Sequence, residues 1–544
     1  MRRILSGVLV LLLLFGLFTP VPTATAVSDS SELETAIAAA ADFLLRTVPN
    51  PEIGSVGGEW AVIGLARSGH PVPDFFFEQY FDAVEWRVRA QEGVLDTRRL
   101  TEYSRVILGL TAAGFDPRSV AGFDLTLPLG DFERTIWQGI NGPVFALLAL
   151  DSLNYAIPVN ASAEVQATRE MYVAEILRRQ TPDGGWNLTA GTLGAPVGPH
   201  ETGDADLTGM ALQALAKYQD DLAVQEATER ALQFLSEIQD ATGGFSSGFS
   251  PGASAVESAV QVLVALTELG ISLDDPRFVK NGNTLLDSVL GFQNPDGSFR
   301  HTHGNPEANI MSTEQALYGL AAAQRALSGA NSLYRMSDRV VRVAGRHPDV
   351  RALEIVRSGS FLDVQNHPNQ RAIEALYARA IIHGRSDVEF APDATMLRAE
   401  FAAIITRGLG LPTQTVGVFT DVPSGVWFYA PVGTAFYYGI VRGTSPTTFS
   451  PLDTITRQEA AVMVLRAARL SGLDTRLSQT EVQGVLGQFG DGQTVAPWAR
   501  EALAFCYHAG ILDDEGQDIL PLIPITRAEI AEMLYRLLGL ADLL

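Results

Sequence analysis

Gln180-Thr181-Pro182-Asp183-Gly184-Gly185-Trp186, Gln239-Asp240-Ala241-Thr242-Gly243-Gly244-Phe245 and Gln293-Asn294-Pro295-Asp296-Gly297-Ser298-Phe299 are three copies of one phrase, each with an aromatic six residues after its glutamine. Self-similarity of this kind marks a repeat architecture and governs the reading of what surrounds it. An amphipathic helical pattern precedes each copy, at Val173 to Leu177, Ala231 to Ile238 and Leu285 to Phe292. After each copy comes a polar, Gly-containing loop. A helix rich in small apolar residues follows it, at Thr208 to Leu215, Glu257 to Leu266 and Thr313 to Ala323. The unit is therefore a helix pair. Weaker copies of the small-residue helix stand at Trp60 to Leu65, Ser104 to Ala113 and Pro143 to Leu150, giving six pairs between residues 31 and 336. A helix that is apolar all round is packed all round, whereas its partner, with one charged side, faces water on that side. The expected fold of this half is all-α, an α/α toroid of about six helix pairs with the small-residue helices inside. An open helical solenoid has the same local grammar, but six pairs is a count that can close.

The whole chain has 544 residues, 47% hydrophobic against 19% charged, enough for several domains with real cores. Its net charge of −23 leaves nothing to draw it onto a polyphosphate, so no nucleic acid is expected as a partner. A single cysteine, Cys506, excludes an intramolecular disulfide and any Cys-rich zinc site. Arg2 and Arg3, an apolar run from Ile4 to Phe18 and the small residues Ala24-Thr25-Ala26 follow the order of a secretory signal cut after Ala26. Residues 1–26 are thus expected to be removed on export. The alternative, a retained anchor, needs about 20 apolar residues, and the run is shorter. With no later uninterrupted apolar segment of that length, no transmembrane span is expected after cleavage.

The Gln-to-aromatic phrase resembles the repeat of terpene cyclases and protein prenyltransferases, over about 300 residues. Prenyltransferases of that fold hold zinc with Asp, Cys and His; here the cysteine lies outside the repeats, so no metal site and no cofactor are expected. Triterpene cyclases protonate a double bond with an Asp-x-Asp-Asp motif, and Asp204-Ala205-Asp206-Leu207-Thr208 stands where it would sit, with leucine in place of the last carboxylate. Asp204 and Asp206 are therefore weak catalytic candidates, set against the simpler reading of acids capping a helix start. The strings Asp206 to Leu212 and Thr313 to Tyr318 resemble the inner helices of the cobalamin-carrier family, in which a β-domain closes the ligand site. No such β-domain is visible here. Enzyme activity is left open, and the toroid is read as a non-catalytic binding or structural part of unknown ligand, with an isoprenoid enzyme or a cobalamin-type carrier as alternatives. His200, Glu201, His301 and His303 fall in loops expected at one end of the toroid, where a ligand or metal rim is one reading and solvated polar residues are the default.

After a basic junction at 337–360, a different phrase appears three times, over 361–411, 418–473 and 487–544. Its openings are Phe361-Leu362-Asp363-Val364, Phe419-Thr420-Asp421-Val422 and Phe489-Gly490-Asp491-Gly492. Its closings are Leu397-Arg398-Ala399-Glu400, Thr456-Arg457-Gln458-Glu459 and Thr526-Arg527-Ala528-Glu529. Asp and Arg are 35, 36 and 36 residues apart, and Pro392, Pro451 and Pro521 each stand six residues before the Arg. Thr-Arg-x-Glu ahead of an apolar helix is a capping box, which accounts for Thr and Glu but not for Arg. An arginine beside free amides at a helix start would read carboxylate or phosphate geometry.

This order resembles the S-layer homology module over about 180 residues. The resemblance implies three mainly helical modules in a pseudo-threefold arrangement. Their grooves would hold a pyruvylated secondary cell wall polymer, an acidic glycan attached to peptidoglycan, and the chain would be secreted to the bacterial cell wall or S-layer surface. Carried over residue by residue, the glycan-binding candidates are Asp363, Gly384 and Arg398 in the first module, then Asp421, Trp427, Gly443 and Arg457, with Gly439, in the second. The third offers Asp491, Trp498 and Arg527, with Gly510. In the first module Asn369 or Gln370 replaces the Trp and Leu397 the capping Thr; in the third, Asp514 takes the second glycine position and would repel an acidic sugar. The plain structural alternative is that Trp427 and Trp498 pack the core and the aspartates cap turns.

Overall fold

The structure is a computed structural model that describes residues 30–544 apart from 55, 247–251, 343–345, 446, 476 and 514–517. The expected leader and Asp514 lie outside the described residues. Helices and the turns and loops between them make up the described chain, whose β-structure among the described residues is confined to isolated bridges, as the all-α reading expects. It divides into two compact units, one of residues up to Ala40, Gly139–Val144 and Glu170–Leu333, the other of Ala41–Gln138, Phe145–Arg169 and Tyr334–Leu544.

The first unit shows the toroid repeat most plainly. Inner helices Ala205–Leu215, Val256–Glu268 and Ile310–Ser328 alternate with outer helices such as Leu222–Ile238 and Leu285–Leu290. Every residue of Val256–Glu268 except Glu257 is buried, whereas Leu222–Ile238 buries only the stripe of Val224, Ala227, Thr228, Ala231, Leu232, Phe234 and Leu235. Small residues set the inner spacing. A Cβ on Gly209 would lie 2.8 Å from the Gln261 backbone, and one on Gly319 would lie 2.9 Å from Val260.

The repeat phrase is the joint between neighbours. The Gln180 amide donates to the Ala227 carbonyl at 2.8 Å, that of Gln239 to Phe278 at 3.0 Å and that of Gln293 to Ala36 at 2.9 Å. Each glutamine thus grips the segment of the next unit, and the last reaches back to the first helix, Ser30–Thr47. That return joins the last repeat to the first helix, a contact that a toroid needs and an open solenoid lacks. Gly184, Gly243 and Gly297 have φ of 95°, 84° and 90°, a region that L side chains rarely adopt, and each abuts the backbone its own repeat grips. The aromatic completes the joint: the Trp186 and Phe299 amides donate to the hydroxyls of Thr208 and Thr313 at 2.9 and 2.8 Å.

In the second unit, each C-terminal module contributes a short helix and a longer one: Gln370–Ala378 with Arg398–Gly408, Tyr429–Tyr437 with Arg457–Leu470, and Arg500–His508 with Arg527–Leu540. One apolar core, including Phe361, Ile405, Phe419, Leu465, Phe505 and Leu534, runs through all three. The modules are joined cyclically. Ala399 donates its amide to Pro451 O at 3.1 Å, Gln458 to Pro521 O at 3.0 Å and Ala528 to Pro392 O at 3.0 Å. The three recurring prolines are therefore the seats on which the preceding module's helix starts. The basic junction is tied down in the same unit. Arg342 bonds Asp74 at 2.9 Å and the Ala113 carbonyl at 2.8 Å and lies over the Phe77 ring, while Asp338 pairs with the buried Arg67 at 2.7 Å.

Candidate functional site

The three repeated aspartates each hold one loop of their own module. Asp363 accepts the Phe390 and Ala391 amides, Asp421 those of Phe449 and Ser450, and Asp491 those of Ile519 and Leu520, at 2.6–3.1 Å. Gly384 and Gly443 lie where a Cβ would overlap the rings of Phe361 and Phe419 and nearby loop carbonyls. These five residues build the loop that carries Pro392, Pro451 or Pro521.

The arginines cross between modules. Arg398 donates to the Phe449 carbonyl at 2.9 Å, pairs with Glu459 at 2.6 Å and lies over the Phe449 ring. Arg527 donates to the carbonyls of Phe390 and His383 at 3.0 and 2.8 Å and lies over the Phe390 ring. Arg457 pairs with Glu529. Burial holds the Arg398 and Arg527 guanidinium groups below their ordinary range. The sequence reading placed free amides beside each arginine, and the structure corrects it. The amides of Arg398, Arg457 and Arg527 donate to Asp453, Ile523 and Ala394 of the next module in the cycle. Arg457 differs from its two counterparts: its side chain is 20% exposed, and its buried Nε has no partner among the described residues.

Trp427 and Trp498 do not pack the core; they are 58% and 60% exposed. Trp427 lines a cavity of about 320 Å³ between the first module's helix Arg398–Gly408 and the second module's helix Tyr429–Tyr437, with Ala403, Thr406, Arg407, Leu411, Thr413, Ala430, Pro431 and Thr434. Arg407 donates its Nε to Ala403 O at 3.0 Å and, among the described residues, has no carboxylate partner. Burial, and then the Arg357 charge, push its pKa down. An aromatic face beside an uncompensated cation suits a sugar ring bearing an acid. Sequence reasoning missed Arg407, although an arginine recurs nine residues after the motif arginine in every module as Arg407, Arg466 and Arg536, because its place in a groove appears only when two modules meet. Asn369, at the first module's vacant tryptophan position, donates to Glu532 at 3.3 Å.

In the toroid the two acids part company. Asp204 is the N-cap of Ala205–Leu215, accepting the Leu207 amide at 2.8 Å. Asp206, in the first turn of the same helix, has a buried Oδ1 without a hydrogen-bond partner among the described residues, and burial raises its pKa to about 6. Its neighbours Ser258, Asp204, Glu257 and His301 are polar. Glu257 bonds the His301 ring at 2.7 Å and the Ser312 hydroxyl at 2.5 Å, so His301 is a held residue and not a free loop side chain. His303 stacks on Phe292 at 3.9 Å. Among the described residues, no cluster of three or more His, Cys, Asp or Glu side chains could hold a metal, and no helix is long and apolar enough to cross a membrane.

Comparison with known proteins matches this architecture. Residues 360–402, 418–461 and 488–531 match the S-layer homology domain, and residues 137–257 and 212–328 match the prenyltransferase alpha-alpha toroid domain. The chain therefore carries three of the former and a toroid of the latter kind. Over 182 residues it is 32% identical to an amylopullulanase of Thermoanaerobacterium thermosulfurigenes, covering 33% of this chain and 9% of that protein. Over 177 residues it is 32% identical to the surface-layer 125 kDa protein of Lysinibacillus sphaericus, covering 32% and 14%. The chain thus spans less than a fifth of the length of these relatives. Among solved structures, the type II terpene cyclase MstE from Scytonema is 15% identical, covering 54% of this chain and 99% of that one, with a TM-score of 0.37. The unsaturated glucuronyl hydrolase of Bacillus sp. GL1 is 13% identical, covering 57% and 100%, with a TM-score of 0.39.

Proposed function

We propose that the three C-terminal modules tether this chain to the bacterial cell wall by holding an acidic, pyruvylated saccharide of a secondary wall polymer, and that they display the toroid at the surface. The observation that carries the reading is the groove lined by both the exposed Trp427 and Arg407, a cation that has no carboxylate partner among the described residues. The tryptophan offers a flat apolar face for a sugar ring and the guanidinium a fork for its acid group. Arg457, partly exposed and with an unpaired Nε, offers a second contact at the next joint. Arg398 and Arg527, saturated by carbonyls and Glu459, serve the assembly of the modules. The S-layer homology domains of this chain and its similarity to surface-layer proteins support a location at the wall.

The test is co-sedimentation of the full chain with purified wall sacculi. The protein pellets with intact sacculi and stays in solution once the polymer is chemically stripped. Trp427→Ala and Arg407→Gln each weaken pelleting, and Arg457→Ala weakens it by about 1.5–3 kcal/mol, the range for a hydrogen bond to a charged group. Unchanged pelleting of an Arg407/Arg457 double variant would remove the arginines from the mechanism.

A second reading, an enzyme acting on an isoprenoid, is supported by Asp206, whose raised pKa and unpartnered Oδ1 suit a proton donor at one end of the toroid. It predicts turnover of a polyprenyl compound that Asp206→Asn abolishes.

A further inference from the structure

Away from the module grooves, the second unit contains a pocket of about 250 Å³ between the helix Asp74–Ala90 and the second C-terminal module. Phe75, Phe81 and Phe115 line it together with Arg442, Arg466 and Arg469, and the carboxyl groups of Glu78, Asp82, Glu85 and Asp474 are also at its edge. The arginines are not equally provided for. Arg469 is matched by Asp82 at 3.2 Å, Glu501 at 2.8 Å and the Thr475 hydroxyl at 2.9 Å. Among the described residues Arg442 has only the Asn50 side-chain oxygen, and its Nε is buried without a partner. Arg466 reaches only the Ile440 carbonyl, at 3.3 Å. Among the described residues neither has a carboxylate within ion-pair distance. Burial, and then repulsion among the arginines, lower both pKa values, that of Arg442 to about 10. Across the pocket, both amide atoms of Gln79 are buried and unpaired, and Glu78 is pushed up to about 7 by burial, which reduces the negative charge it presents.

Enclosing two guanidinium groups side by side without an anion is costly, and an oxyanion between them would offset that cost with charge-assisted hydrogen bonds. We propose that this pocket binds a small oxyanion, a phosphate or sulfate group free or carried on a compact polar molecule, between Arg442 and Arg466, with the Gln79 amide as a further donor. The pocket shares no lining residue with the Trp427 groove, although Arg466 stands at the repeat position that Arg407 holds in the first module. Its arginines belong to one module and its opposite wall to the helix Asp74–Ala90, so occupancy also strengthens the attachment of that helix.

The experiment is a titration of the full chain with inorganic phosphate at constant ionic strength, followed by thermal unfolding and by calorimetry. Phosphate should raise the unfolding midpoint saturably, by at least about 3 °C at 100 times the dissociation constant, while chloride does not. Arg442→Gln and Arg466→Gln should each weaken binding at least about tenfold, the loss of one charge-assisted contact. Glu78→Gln, which keeps both arginines and removes an opposing carboxyl, should bind phosphate at least as tightly as the parent. Glucose 6-phosphate as a second probe separates the sources: equal affinity assigns the site to the free ion, and tighter binding to a carried group. No saturable response in the parent, or an equal response in both arginine variants, overturns the proposal. Sedimentation with sacculi should be unchanged in Arg442→Gln, which keeps this outcome separate from that of the wall-binding test.

Discussion

Asp206 shows how burial turns a residue that looks like a helix cap into a titrating group. With a folded pKa near 6 against an ordinary 3.8, the protonated form is favoured in the folded chain. Folding therefore loses stability as pH rises through the window between these values, in total on the order of 2–3 kcal/mol, and the loss levels off above it. Thermal unfolding of the parent and of Asp206→Asn across pH 4–8 should show the parent declining relative to the variant over this window and running parallel to it above. Arg398 supplies a second test at this scale. Its removal deprives the Phe449 carbonyl and the 26% exposed Glu459 of a charged partner, so Arg398→Ala should cost about 1.5–3 kcal/mol in denaturant unfolding. The repeated Asp and Arg were legible as positions but not as roles. Spacing in one dimension gives recurrence, whereas the partners of Arg398 lie 51 and 61 residues away, in another module. Exposure of Trp427 and Trp498 was equally hidden, because a tryptophan in a motif reads the same whether it faces core or solvent.

At the level of elements, helix pairs and capping boxes could be read directly, because they depend on neighbours three to six residues apart. The Thr456 and Thr526 boxes form with Glu459 and Glu529, and Leu397, which lacks a hydroxyl, still has its own amide bonded by Glu400 at 3.0 Å. What the phrase Gln-x-x-x-Gly concealed is its purpose, to fasten one pair to the next. Gly184→Ala tests this. The substitution places a side chain at φ of 95° and against the Arg230 carbonyl, so it should destabilise by more than about 1 kcal/mol in urea unfolding. The same change at Gly252, also at positive φ but with nothing within 4 Å, should cost less, since strain is then the only term.

Across the whole chain, an all-α composition of a repeat toroid and three repeated modules was visible in the sequence, while the division into compact units was not. Residues 41–138 group with the C-terminal modules because pairs such as Asp74 with Arg342 and Asp82 with Arg469 span the sequence between them. No local pattern announces a contact of that separation. The cyclic arrangement has a consequence for truncated chains. Each module offers a helix start to one neighbour and a proline-led loop to the other, and the third completes the circuit by docking on the first. A chain cut after the second module is left with one plug and one matching socket that cannot meet each other. Two such chains can satisfy them by exchange, so the shortened protein should form concentration-dependent oligomers in sedimentation velocity, which the intact protein avoids by being its own partner.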